Sequence, residues 1–449
     1  MKEFGLTRSP TIFKLAIEGK KMSMDGHVLL SAFRLLERTS PTMPGVEDLD
    51  GEIRQSLSAL AIPHKRLQGK SIAVTAGSRG IANLKEIIRS ACDWLKAQGA
   101  RPFVIPAMGS HGGATAEGQR LILEEYGVTP EAVGAEIISD MSTVRLGETT
   151  EGFQVHMDRN AWAADGVLVI NRIKPHTDFN GKIESGLLKM IAVGLGKRDG
   201  AQETHRWGRK YGNEHVIRSM ASVVFSTGKI LCGLGVVENE MHQVAIVRAA
   251  LPEGIVAMEE ETLPVARRMV PRVPFSECQI LIVDEMGKNI SGTGMDTKVI
   301  GRGVRPQPPD GPQFNLIYVR NLSAASDGNA IGVGLADAIH ERLYRRIDLN
   351  KTYMNVRTSL NPLMARLPMY MPSDREALAY LLATIGTPGP DDQRIIWIQN
   401  TLALDRVAVS CSLVNGANVP PGWRVLPGEF AMNFDHEDNL VSPFSGANG

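Results

Sequence analysis

The chain has 449 residues, more than one hydrophobic core usually covers, so two or three domains are the first expectation. With 43% hydrophobic and 22% charged residues, its composition is that of a globular protein, not a disordered or fibrous one. Lysine plus arginine and aspartate plus glutamate both number 49, which leaves no net field to draw the chain to nucleic acid or a membrane surface.

The first forty residues carry little signal. His27 to Glu37 has helical periodicity, and Thr39 to Pro44 is a breaker cluster. Order begins with a strand from Gly69 to Thr75, which ends in Ala76-Gly-Ser-Arg79-Gly80. Asn83 to Gly99 reads as a helix capped by Asn83 and stopped by Gly99. A second strand, Arg101 to Pro106, leads into a glycine-rich loop around His111, and a helix from Ala116 to Tyr126 closes at Gly127. This alternation is the unit of a parallel α/β sheet. Residues 128–165 suggest short strands and a turn, and Gly166 to Ile170 is a third buried strand.

The stretch that follows, Arg172 to His205, carries His176 and His205 together with Lys174, Lys182, Lys189 and Lys197 around a glycine-punctuated apolar segment. Beyond it come a charged helical piece and an apolar, glycine-rich stretch with the look of a hairpin. Glu259 to Arg268 reads as helical despite Pro264, and Val270 to Pro274 is the candidate linker. A second domain opens with the strand Gln279 to Asp284 and a glycine-rich loop containing Lys288 and Lys298; another strand runs from Phe314 to Val319. The expected architecture is two α/β domains, residues 1–270 and 271–449, with mainly parallel sheets and an active-site cleft between them.

Four cysteines, Cys92, Cys232, Cys278 and Cys411, are far apart and form no C-x-x-C pair, which suits reduced thiols in the cytoplasm. The N-terminus lacks the apolar core of a signal peptide, and no apolar run is long enough to span a bilayer. No G-x-G-x-x-G follows a strand in the place a dinucleotide fingerprint needs, and no G-x-x-x-x-G-K-[ST] is present.

Arg79, His111 and His176 each sit just past the carboxyl end of an expected strand. In an open parallel sheet those ends share one edge, where ligands bind, so the three groups converge if their strands are parallel neighbours. Together with Lys189, His205 and Lys298, in this order and spacing, they resemble the nickel-dependent lactate racemase family over roughly residues 40–440. The resemblance implies two α/β domains and a nickel pincer nucleotide. It places Arg79 and Lys298 beside the substrate and makes His111 and His176 the acid/base pair. Lys189 becomes the covalent cofactor attachment and His205 the protein ligand to nickel. Lys182 competes for the attachment, although the Met-Ile-Ala-Val-Gly after Lys189 favours Lys189. Where the family commonly has Asp three residues before the arginine, this chain has Ala76.

The implied activity is inversion at C2 of a 2-hydroxy acid, with cofactor-assembly enzymes as partners. No nucleic-acid or membrane partner is expected, and the oligomeric state is left open. Two other readings use the same residues. In one, His111, His176 and His205 bind zinc in a metal hydrolase. In the other, the chain is a non-catalytic binding protein for a sugar acid or nucleotide.

Overall fold

Unbroken apolar runs become the inner strands of a parallel sheet, because helices cover both of its faces. The computed structural model describes residues 29–77, 80–177, 179–303, 311–359, 361–415 and 419–444. Its strands, in chain order, begin with β1 (Phe33–Arg38), β2 (Ser71–Ala76), β3 (Arg101–Pro106), β4 (Thr143–Glu148) and β5 (Gln154–Asp158). They continue with β6 (Gly166–Arg172), β7 (Ile230–Glu238), β8 (Val244–Ala250), β9 (Glu277–Met286) and β10 (Gln313–Leu322). The last are β11 (Ala338–His340), β12 (Met369–Met371), β13 (Ile395–Ile398), β14 (Arg406–Ser410) and β15 (Trp423–Val425).

The first sheet has the order β3-β2-β6-β7-β8. Its β2 pairs in parallel with β3 and β6, and β6 in parallel with β7; only the β7–β8 hairpin is antiparallel. The condition for convergence is therefore met: β3, β2 and β6 are adjacent and parallel, and their carboxyl ends lie along one edge. A two-stranded β4–β5 ribbon stands beside this sheet. The second sheet has the order β12-β11-β10-β9-β13-β14-β1-β15 and is parallel from β12 to β13. Both parts are α/β, as expected.

Two local expectations are corrected. The helical periodicity read from His27 to Glu37 belongs to a strand: Phe33 to Arg38 pairs antiparallel with β14 and β15. Residues up to 28 lie outside the described part. Phe33 and Leu36 are both fully buried but face different cores on opposite sides of the sheet. A strand covered on both faces thus shows an i, i+3 spacing that mimics a helix. It also means that β1, taken with residues 1–270, is built into the second sheet. The second correction concerns Asn83, which sits at φ 58° and makes no side-chain capping bond to helix Leu84–Ala97. At the other end, Gly99 (φ 79°) follows the helix in the left-handed turn that favours glycine.

Among the described residues no helix is long and apolar enough to cross a membrane. All four cysteines are free and buried, and burial pushes the Cys92 and Cys232 thiols up to about 12. They are inert core residues. The packing of β1 can be tested with Leu36→Ala, which should cost about 2–5 kcal/mol in urea denaturation. A loss below about 1 kcal/mol, the size of an ordinary surface change, would mean that β1 is not integral to the second core.

Candidate active site

The loop after β3 is fixed by its own backbone before any ligand arrives. His111 N–H donates to the Met108 carbonyl, and the amide of Gln119, a fully buried side chain, donates to the Gly109 and His111 carbonyls at 3.0 and 3.3 Å. Gly112 has φ 63°, and a Cβ there would come within 2.5 Å of the Gly118 carbonyl carbon, so the loop closes on the following helix only with glycine. The imidazole of His111 has Nδ1 2.8 Å from the Met108 carbonyl oxygen. A carbonyl can only accept, so Nδ1 carries the proton and the basic lone pair is on Nε2.

The loop after β6 is organised by a carboxylate. Glu184, with no exposed side-chain surface, accepts from the backbone N–H of His176 and of Gly181, and pairs with Arg267 at 2.6 Å. Arg267 also donates to the Gly181 carbonyl. The His176 ring lies against Phe179, with centroids 4.6 Å apart. Lys174 and Ser185 exchange backbone bonds of 2.9 and 3.1 Å, which closes the base of the loop. From the second part, Thr297 donates to the Thr177 carbonyl at 2.6 Å and Lys298 donates to Asn180.

Lys189 ends a short helical turn, Leu187–Lys189, that runs directly into a π-helical turn, Met190–Gly194. Such turns are a frequent mark of functional sites. Its N-terminal N–H groups are capped from a distance: Glu259, 2% exposed, accepts from Leu187 and Leu188. Gly186 leaves room for this cap, since a Cβ there would lie 1.6 Å from Glu259 Oε1 and push the carboxylate aside. Burial pushes the Glu259 carboxyl up to about 7, against the opposing pull of the two N–H groups.

These pieces wall one cavity. His111, His176, Lys174 and Lys189 line it together, with Gly77 from the end of β2. The side chain of Arg79 lies outside the described residues. Lys298 lines a second, wider cavity, which it shares with His111 and Lys174. Burial lowers the Lys298 ammonium from its usual range, opposed by the charges of Glu184 and Asp296. His205 is exposed on helix Lys197–Tyr211 and does not line the Lys189 cavity. Lys182, the rival attachment, is also exposed and off that wall.

Lys197 is no ligand-binding lysine. Fully buried, it pairs with Asp158 at 2.9 Å and donates to the Pro106 carbonyl at the end of β3. Sequence reasoning missed Glu184, Arg267 and the capping role of Glu259. Arg267 lies 83 residues from Glu184, and Glu259 lies 72 from Leu187, so no local pattern links them.

The residues present fit a nickel pincer nucleotide in their donor chemistry. An amine stands on the cavity wall beside two imidazoles, and among the described residues of that wall none is a carboxylate. Among the described residues no three His, Cys, Asp or Glu side chains gather around one point. A metal held there would take its other donors from a bound group, as a pincer nucleotide provides.

Glu259 yields a pH prediction. Its folded pKa of about 7 lies above the ordinary 4.5, so the folded state holds the proton more tightly. The stability this gives is fully present below pH ~4.5 and lost as pH rises to ~7. Urea denaturation should show the parent losing roughly 3 kcal/mol relative to Glu259→Gln over that window, as an upper bound. Parallel stability curves would mean that Glu259 does not titrate there.

Comparison with known proteins follows the same residues. Residues 45–215 match the family model of the lactate racemase N-terminal domain. Among solved structures, the lactate racemase apoprotein from Thermoanaerobacterium thermosaccharolyticum is similar at 13% identity and a TM-score of 0.49, over 82% of this chain and 94% of that one. No curated protein matches. Residues 45–215, which hold both His111 and His176, are thus similar to the N-terminal domain of lactate racemases.

Proposed function

We propose that the chain is a racemase or epimerase that inverts C2 of a 2-hydroxy acid, with His111 and His176 as its two acid/base groups. The observation that carries this reading is the shared cavity of His111, His176 and Lys189, fed by loops from adjacent parallel strands. The family match over residues 45–215 supports the same reaction class.

The chemistry asks for these residue types. The C2–H of a 2-hydroxy acid is only weakly acidic, and removing the hydrogen with its electron pair avoids a free carbanion. A nickel pincer nucleotide, held through Lys189, would supply an electrophile for that hydride. The hydroxyl proton has to leave in the same event, and an imidazole titrating near neutrality is suited to take it. The product is a planar 2-keto acid, which can be reduced on either face. Enantiomers place their hydroxyls differently, so one histidine serves each.

In this reading Nε2 of His111 accepts the hydroxyl proton of one enantiomer and His176 that of the other. Lys189 would hold the cofactor through a covalent bond, while His205, the nickel ligand that the resemblance implies, stands off this cavity wall and would meet the metal only from outside it. Arg79 forks onto the substrate carboxylate, and Lys298 assists from the second part. Cofactor-assembly enzymes are the implied partners. A zinc hydrolase would need His111, His176 and His205 gathered, whereas His205 is not on the wall shared by the other two.

Protein made alongside the cofactor-building enzymes should contain about one nickel per chain and a nucleotide-sized mass adduct on Lys189. An adduct mapped to Lys182 would reassign the attachment, and zinc held directly by the histidines would overturn the reading.

The division of labour between the histidines has its own test. His111→Ala and His176→Ala should each stop net racemisation from both directions, because a full turnover uses both groups. In a single turnover followed by cofactor absorbance, each variant should still oxidise one enantiomer. Loss of one base typically costs about 10²–10⁴-fold, so the retained half-reaction should stand clear of the lost one. Equal loss with both enantiomers in both variants would sink the two-base assignment.

A further inference from the structure

Lys197 opens helix Lys197–Tyr211 with its side chain sealed in the core, 2.9 Å from Asp158. Neither side chain of this pair has any exposed surface. The contact is an ion pair off hydrogen-bond alignment, and Asp158 Oδ2 is buried without a hydrogen bond. Lys197 also holds φ 50°, in the left-handed region that a side chain disfavours. Stability alone does not ask for this residue. A buried ion pair is often no firmer than apolar side chains of the same volume, and glycine would relieve the backbone. Strained residues of this kind collect where a fixed geometry is used.

What the ammonium holds is the backbone at the end of β3, where it donates to the Pro106 carbonyl. Two residues on, the Met108 carbonyl accepts the Nδ1–H of His111. The segment between lies against the elements on either side of Lys197. A Cβ on Gly194, in the π-helical turn, would stand 2.7 Å from the Ala107 carbonyl oxygen. One on Gly109 would stand 3.3 Å from Val193 Cγ1 and 3.6 Å from Ala201 Cβ. The turn after Lys189 and the first turn of the helix that carries His205 therefore both press on the loop of His111. Contacts of this kind hold segments close but let them slide. A bond from a buried ammonium to one carbonyl does not.

We propose that Lys197 is a positioning residue for His111: its ammonium fixes the end of β3, and with it the Met108 carbonyl that sets the imidazole tautomer. The inference rests on the racemase reading for its effect on turnover, whereas its effect on the imidazole needs no cofactor. Lys197 touches neither substrate nor cofactor in this role. Without the ammonium, the Met108 carbonyl drifts from Nδ1, the two tautomers mix, and Nε2 is less often the base. The loss then falls on the proton-transfer step and not on substrate binding.

The test uses the double variant Lys197→Met with Asp158→Asn. It removes both charges at nearly constant volume and leaves an oxygen to cap helix Arg159–Ala163. The ring nitrogen-15 shifts of His111 are read by NMR on histidine-labelled protein, assigned by their absence in His111→Ala. The parent should show the Nδ1–H form and the double variant a mixture of both tautomers. In cofactor-loaded protein with single enantiomers of 2-hydroxypropanoate, the half-reaction that His111 serves should slow about tenfold or more, the scale of a small misplacement. The half-reaction that His176 serves should change far less, and KM should stay within about twofold. If melting curves show that the double variant is misfolded, Asp158→Asn alone carries the test, with a smaller shift in the same direction. A folded variant whose His111 stays wholly in the Nδ1–H form, whatever its melting temperature, overturns the proposal. So does a tautomer shift that leaves both half-reactions unaltered. If the tautomer shifts but neither parent nor variant turns over a 2-hydroxy acid, the racemase reading fails and the hold of Lys197 on His111 stands.

Discussion

The arrangement of this site depends on one buried carboxylate. Glu184 sits where water cannot reach it, and a lone charge there would cost several kcal/mol. It is stabilised by the His176 and Gly181 N–H groups and by Arg267, and those same contacts set the course of the loop that carries His176. The helix that supplies Arg267 also supplies Glu259, which caps the turn bearing Lys189. Two segments of the cavity wall, from opposite ends of a 14-residue stretch, are therefore clamped by one helix, Ile255–Arg268. Removing Glu184 would loosen the loop that carries His176, and removing Glu259 the turn that carries Lys189.

Rigidity is distributed in the same way around His111. Gln119 and Gly112 fix the loop backbone, and Lys197 ties the end of β3 to Asp158 from below. The imidazole is left with one defined tautomer because its Nδ1–H donates to the Met108 carbonyl. Such preorganisation is worth more to a proton-transfer site than added contacts to the substrate, because the base need not be reoriented during reaction.

Much of this could be read in the sequence, and what could not has physical reasons. The strands β2, β3 and β6 were legible because strands covered on both faces are continuous apolar runs, and their parallel adjacency brought His111 and His176 to one edge as inferred. Strand β1 was misread because Phe33 and Leu36 are buried on opposite faces, which produces a helical spacing. Asn83 was misread because a left-handed residue before a helix has the same identity as a cap. His111, His176 and Lys189 were picked out by family order and spacing, and they line one cavity, whereas His205, picked out in the same way, does not. Glu184 and Glu259 were not, since a buried carboxylate is told from a surface one only by its partners, and those lie far along the chain. Lys197 was grouped with the site lysines for the converse reason: proximity in sequence placed it there, whereas packing sends it into the core.

The incorporation of β1 into the second sheet has a mechanical consequence. The chain passes between its two sheets twice, once between Arg38 and Leu49 and once between Arg268 and Glu277. The two crossings touch: the Arg38 guanidinium donates to the Arg272 carbonyl at 3.0 Å and approaches Glu240 to 3.8 Å. A single linker would allow a ball joint, free to swing and twist. Two covalent strands lying side by side behave as a strap hinge, which bends about the line through both and resists torsion. Any opening of the wider cavity is thereby confined to one path, so Lys288 and Lys298 would retreat from His111 and Lys174 and return to the same register each time.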